Sequence, residues 1–260
     1  MSFEPRWGAA ALDPAAHDLP ALKLSFLLRH APARGKLMEL GSGEGKVLRT
    51  LARERPALEL LGCDVRDVPP ADGAFEFRRI EQGLPAGDGE LDAVVFADVL
   101  EHVADPSSTV RELWRVLRPG GLLLGFVPLE GEPLSAYAFY RALLGQDLYR
   151  HTKEHVQSFT RRDVQRLLCD FEIAEEQHAY HALGQWLDAS FFALARLPRV
   201  ERFWWTENRY YQPERRELST LPRALNALLT LGNRLAYAES RWLARVPWFS
   251  AGLLFAARRP

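Results

Sequence analysis

The 260-residue sequence predicts an α/β fold, a doubly wound and mostly parallel sheet carrying a helical, aromatic-rich cap. Three observations predict it. Short apolar runs alternate with helical stretches from residue 36 to residue 127. A glycine-rich turn, Glu39-Leu40-Gly41-Ser42-Gly43-Glu44-Gly45, joins the first such run to the first such helix. Leu91–Ala97 (LDAVVFA) is almost continuously apolar, as a parallel strand covered on both faces should be.

In chain order, residues 18–30 read as an amphipathic helix, Lys36–Leu40 as a short buried strand and residues 45–54 as a helix. Leu58–Cys63, Phe75–Arg78 and Leu91–Ala97 follow as strands. Ser107–Leu117 is a helix with Asp105 as N-cap and Pro106 in its first turn, closed by Arg118-Pro119-Gly120-Gly121 before the strand Leu122–Val127. Beyond Pro128 comes an aromatic-rich stretch, Ala136–Tyr149, then a helix opening at Ser158 or Thr160, then a strand-like Phe171–Glu175. Residues 183–247 are helical in pattern and aromatic, and Ala251–Arg258 reads as a last strand. The expected division is an N-terminal helical segment (1–35), an α/β core (36–182 and 248–260, with a cap segment at 128–160) and a helical insertion (183–247).

Composition narrows the function. Hydrophobic residues make up 47% of the chain, enough for a substantial core. Cys63 and Cys169 are too few for a disulfide framework or a cysteine zinc site. The first twenty residues lack the pattern of a secretory leader, and no apolar run reaches the ~18 residues of a spanning helix, so a cytoplasmic protein is expected. The net charge of −1 hides an asymmetry, since residues 196–260 hold 12 arginines against 5 glutamates. There Phe191, Phe192, Phe203, Trp204, Trp205, Tyr210 and Tyr211 mix with Arg196, Arg199, Arg202 and Arg209. Such a region can pack as the core of a helical cap, cover a large apolar substrate, or lie peripherally on a membrane. Oligomeric state is left open.

The glycine turn sits where a strand passes into a helix, a place that needs positive φ and close approach of backbone to ligand. A dinucleotide fingerprint would be G-x-G-x-x-G, but Lys46 follows Gly45 and an acidic residue precedes the glycines. The nicotinamide-dependent oxidoreductase reading therefore weakens. Asp64 ends the next strand, where a carboxylate can accept hydrogen bonds from both hydroxyls of a ribose, or act as a turn residue.

With these features the sequence resembles the class I S-adenosylmethionine-dependent methyltransferases, a Rossmann-like class, and within them the type 11 branch that includes the ubiquinone-biosynthesis O-methyltransferases. The resemblance rests on ELGSGEG at 39–45, LLGCD ending in Asp64, LDAVVFADVLEHVADP at 91–106 and ELWRVLRPGGLLL at 112–124. It implies S-adenosyl-L-methionine as cofactor, with Glu39 and Gly41, flanked by Ser42, Gly43 and Gly45, near its methionine moiety. Asp64, with Val65 beside it, would take the ribose, and Asp98 and Val99 would lie beside the cofactor. The acidic residue usual near the adenine has no clean counterpart at Ile80; its neighbour Glu81 is the side-chain candidate, and backbone groups without any side chain are the alternative.

Methyl transfer is an in-line displacement, so aligning acceptor and methyl in a dry pocket can suffice. A hydroxyl acceptor gains from a base, and His102, His151 and His155 are the candidates. His151 and His155 stand four apart, but without an H-E-x-x-H pattern or a third ligand, and no metal is expected. By resemblance, the segment holding them is an active-site lid. Nucleic acid is disfavoured as acceptor, because Ala97-Asp98-Val99-Leu100 replaces the D/N-P-P-Y/F motif of base-amino methyltransferases. The expected activity is O-methylation of a small or lipid-like molecule; a non-catalytic methyltransferase-like partner protein is the other alternative.

Overall fold

The computed structural model describes residues 12–70, 72–145, 155–194, 197 and 220–260, for 191–192 and 220–226 by backbone alone. The elements are α1 (Leu19–His30), β1 (Arg34–Leu40), α2 (Lys46–Glu54), β2 (Ala57–Asp64), β3 (Glu76–Arg79) and β4 (Leu91–Ala97). A 3₁₀ turn (Leu100–His102), α3 (Pro106–Val116), β5 (Leu117–Pro128) and α4 (Ala136–Leu144) follow. The described chain continues through α5 (Arg161–Leu167), β6 (Glu172–Ala179), α6 (Ala182–Leu194), α7 (Thr220–Trp242) and β7 (Gly252–Arg258). His151 and the aromatic run 203–211 lie outside the described residues.

The seven strands form one sheet in the order β3-β2-β1-β4-β5-β7-β6. β1 to β5 pair in parallel, whereas β7 runs antiparallel between β5 and β6. This last strand departs from the all-parallel 3-2-1-4-5-6 order of the dinucleotide fold. Alternating strand residues feed opposite faces. Val94, Phe96, Leu253 and Phe255 join Val110, Leu113 and Val164 of α3 and α5 in one core. Ala93, Val95, Leu254 and Ala256 join Phe26, Leu48, Leu51 and Tyr237 of α1, α2 and α7 in the other.

Local chemistry sets the helix starts. Asp18 caps Ala21 N–H ahead of α1, and Asp105 caps Ser108 N–H with Pro106 at the first position of α3. Thr160 and Asp163 form a reciprocal capping box at α5, which settles the opening at Thr160 rather than Ser158.

Two strands differ from their sequence expectations. Arg118-Pro119-Gly120-Gly121 does not precede the fifth strand but lies within it: Leu117 already pairs with Leu91, and the register shifts before Leu122 meets Ala93. β6 runs on to Ala179, four residues past its expected end. As an edge strand it is held by its ladder to β7, so its polar Glu175-Glu176-Gln177 run carries no apolar signal.

Candidate active site

In a parallel sheet the strands end together, and here β1 stands between β2 and β4, which lead away on opposite sides. Glu39, one residue from the end of β1, is only 7% exposed, and its Oε2 has no hydrogen-bond partner. Burial pushes its carboxyl well above the usual range; the charge of Asp64 adds to this, and a backbone N–H from Leu48 partly offsets it. The glycine turn follows. Gly41 has φ +72°, and Val99 Cγ2 lies 2.6 Å from where a β-carbon would stand. Gly45 has φ +81° at the N-cap of α2, with the Phe75 ring filling the corresponding space.

The turn is tied to the end of β2. Gly41 and Ser42 N–H donate to Cys63 O at 2.8 and 3.0 Å. Gly43 N–H donates to Asp64 Oδ2 at 2.9 Å, and Arg66 N–H to Oδ1 at 2.9 Å. Asp64 is therefore both the clamp of the turn and a buried carboxylate at its rim. Val65 beside it is 66% exposed. Ile80 N–H donates to Asp64 O, which sets the exposed Glu81 at the end of the neighbouring strand.

Asp98 follows β4 with φ +55°, unusual for a residue other than glycine. Its carboxylate accepts from Lys23 Nζ at 2.5 Å, and that ammonium also lies 3.7 Å from the centre of the Phe126 ring. Sequence reasoning missed Lys23, whose one signal is a cation in the otherwise apolar middle of α1.

Beyond Asp98, Glu101 and His102 stand on the 3₁₀ turn. Glu101 is 1% exposed and neither of its carboxylate oxygens has a partner. Its backbone carbonyl accepts from Val156 and Gln157 N–H, drawing the segment 155–160 across the turn. That segment also receives Gly131 N–H at Phe159 O. His155 Nδ1 is 2.8 Å from Glu130 Oε1, both buried, and the His102 and His155 rings meet edge-on with centroids 4.8 Å apart. Nearby, Tyr137 Oη donates to Asp188 Oδ2 at 3.0 Å. Glu101, Glu130, Tyr137 and Asp188 were not singled out from sequence. Glu101 had a local signal, a carboxylate directly after the apolar Val99-Leu100 pair in VLEHV; the others are recruited by tertiary packing.

Sheet order, glycine turn and acidic strand ends define an α/β protein of the class I methyltransferase kind. The chain belongs to the methyltransferase-domain family, whose profile matches residues 15–173. It is 28% identical over 130 residues to the ubiquinone biosynthesis O-methyltransferase of Neisseria meningitidis, covering 45% of this chain and 54% of that one. The enzyme of the same description from Pseudomonas aeruginosa is 29% identical over 117 residues, covering 40% and 50%. The chain thus spans about half the length of the curated relatives it matches. Among solved structures, the cyclase SpnF superposes with a TM-score of 0.57 at 19% identity, covering 100% of this chain and 85% of that one. A methyltransferase-like protein of Bacillus halodurans gives 0.55 at 19% identity, covering 91% and 98%. These likenesses show the fold.

S-adenosyl-L-methionine is the cofactor of this family, and the residues fit it. The partnerless buried oxygen of Glu39 can receive an amino group, the Gly41 turn leaves backbone exposed to a close ligand, and Asp64 ends the strand from which a ribose is held.

Proposed function

We propose that the protein transfers a methyl group from S-adenosyl-L-methionine to a hydroxyl oxygen of a small, largely apolar acceptor. One observation carries this reading: the Glu39–Asp64 cradle and the His102–His155 pair lie on the same side of the sheet, at the ends of β1, β2 and β4 and in the turn that follows β4. When bound, the cofactor supplies an electrophilic methyl group on a sulfonium.

Each part of the chain has a task in this reading. Glu39 receives the amino group of the methionine moiety, and the lone pairs of Asp64 not used by Gly43 and Arg66 take the ribose hydroxyls. Val65 and the Ile80–Glu81 corner flank the adenine. Asp98 and Val99 line the passage to the acceptor, whose hydroxyl is oriented by His102 and His155. The segment 155–160 excludes water from the reacting centre. The choice of oxygen is supported by the O-methyltransferase relatives. An apolar acceptor is supported by Phe139, Tyr140 and Trp186, whose rings cluster across α4 and α6.

Calorimetry with S-adenosyl-L-methionine on the wild type and Asp64→Ala, with NADH and NADPH as controls, tests the cofactor. Micromolar binding lost in the variant, followed by release of S-adenosylhomocysteine with hydroxylated aromatic or lipid acceptors, is the expected result. Preference for a nicotinamide would overturn it, and binding with no turnover on any acceptor would favour the non-catalytic partner.

Peripheral membrane contact is supported by a second surface. Trp242 and Trp248 are 85% and 69% exposed, with Phe249 exposed beside Trp248, and Arg245 lies between the two tryptophans in sequence. Among the described residues no helix is long and apolar enough to cross a membrane. Sedimentation with anionic phosphatidylglycerol vesicles, lost in Trp242→Ser/Trp248→Ser, is the expected outcome; equal sedimentation of both proteins would remove this contact.

A further inference from the structure

The helix α7 has two apolar faces, and the fold buries one of them. Ala236, Tyr237 and Ser240 are buried, and the first two join the core that α1 and α2 also line. The opposite side meets solvent without being polar. Leu228, Leu231 and Leu235 are 65%, 55% and 50% exposed, and the exposed Ala238 and Trp242 continue the same row. An outer helix face that stays apolar over about four turns marks a surface that is covered when the protein works.

The row has a definite period. Steps of three, four, three and four residues place Leu228, Leu235 and Trp242 at positions a, and Leu231 and Ala238 at positions d, of a heptad. The residues that face the core, Ala236, Tyr237 and Ser240, then fall at b, c and f. A repeat of about 3.5 residues is the pattern of a helix that lies along a second helix, because it keeps the seam turned toward that partner. Gly232, at an e position, lies against Leu187 of α6, itself exposed, so the neighbouring helix widens the seam on that side.

Charge selects the occupant. The charged residues flanking the seam are Arg234 and Arg241 at g and Glu239 at e, and the Glu239 carboxylate is held in place by the N–H groups of Leu183 and Gly184. When two copies of α7 run parallel and in register, each g residue meets the e residue five positions on in the other copy. Arg234 then faces Glu239 of the second copy, and the two-fold axis makes this contact twice. One heptad earlier Ala227 faces Gly232, small residues that let the helices approach. An antiparallel pairing instead sets arginine against arginine along the g positions. We propose that α7 pairs with α7 of a second copy of this chain, parallel and in register about a two-fold axis, through residues 228–242. Trp248 and Phe249 lie beyond the end of α7 and outside this contact. The pairing does not rest on the methyl-transfer reading.

The test is sedimentation equilibrium on the full chain at concentrations up to about 100 μM, where even a weak specific interface is populated. A reversible dimer is the expected result. Leu228→Glu/Leu235→Glu should weaken it roughly 100-fold, since each substitution buries a charge at the centre of the seam. Both leucines are exposed, so this variant should keep the wild-type circular dichroism spectrum. Arg234→Glu reads the orientation. In the parallel pair it sets glutamate against Glu239 and should weaken the dimer about tenfold; in an antiparallel pair it removes a repulsion and tightens the dimer. A wild type that stays monomeric, or a dimer unchanged by Leu228→Glu/Leu235→Glu, overturns the proposal, and unchanged or tighter association of Arg234→Glu overturns the parallel register. A monomer that sediments with phosphatidylglycerol vesicles, and ceases to in Leu228→Glu/Leu235→Glu, assigns the seam to a lipid surface instead.

Discussion

Asp64 accepts two backbone hydrogen bonds that hold the glycine turn closed, so its removal disturbs more than one contact. Asp64→Ala leaves the N–H groups of Gly43 and Arg66 without that acceptor. We expect a stability loss of about 1–3 kcal/mol in urea unfolding and a cofactor affinity lowered more than tenfold by calorimetry. An unchanged affinity would place the ribose elsewhere. Gly41 combines left-handed backbone with the Val99 methyl at its shoulder. Gly41→Ala should destabilise by about 1–3 kcal/mol, and Val99→Ala in that background should recover the steric part while leaving the backbone strain. Asp188 gives a pH signature. Burial, reinforced by Glu130 and Asp98 and opposed by Lys23 and by the hydroxyl of Tyr137, raises its carboxyl to about 7. Above the unfolded carboxylate range the unfolded chain has lost this proton while the folded chain keeps it, so stability falls as pH rises from about 4 to 7. In Asp188→Asn this decline should flatten; thermal unfolding at stepped pH that shows the same slope in both proteins would exclude it.

At the scale of elements, legibility followed locality. β4 is read to the residue because its apolar run and its boundaries are written in adjacent positions. The starts of α3 and α5 are read from Asp105 and Thr160, whose caps act within three residues. The glycine turn and Asp64 were legible for the same reason, since a strand-to-turn geometry restricts residue type on the spot. Lys23, Glu130 and Asp188 were not, because each acquires its meaning from a partner 25 or more residues away. The α5 capping box offers an element-level test. Thr160→Ala should lower stability by about 1 kcal/mol. Asp163 is held below the usual carboxylate range by the hydroxyl and N–H of Thr160. Its contribution is present above the unfolded carboxylate pKa and is lost as pH falls through the depressed folded value. The stability difference between wild type and Asp163→Asn should therefore shrink toward acid, and a difference constant with pH would contradict the box.

Over the whole molecule, the sheet separates two cores, and β7 contributes to both. Phe255 occupies the space beside Gly125 on β5 and meets Phe96 of β4 edge-on. Phe255→Ala should cost about 3–5 kcal/mol, and because β7 also carries β6, the loss should appear as one cooperative shift in the unfolding midpoint. A separate early transition confined to β6 and α5 would instead mean that the edge of the sheet unfolds on its own.

The placement of β7 also has a consequence for synthesis. The ribosome completes β5 and β6 well before it makes the strand that lies between them. Until then both present unsatisfied backbone edges, and β6 has no neighbour at all. For the time needed to translate α6, α7 and the chain that links them, the nascent protein carries two strand edges open to pairing with other chains. Closure of the sheet therefore waits on the insertion of β7 between two strands already made.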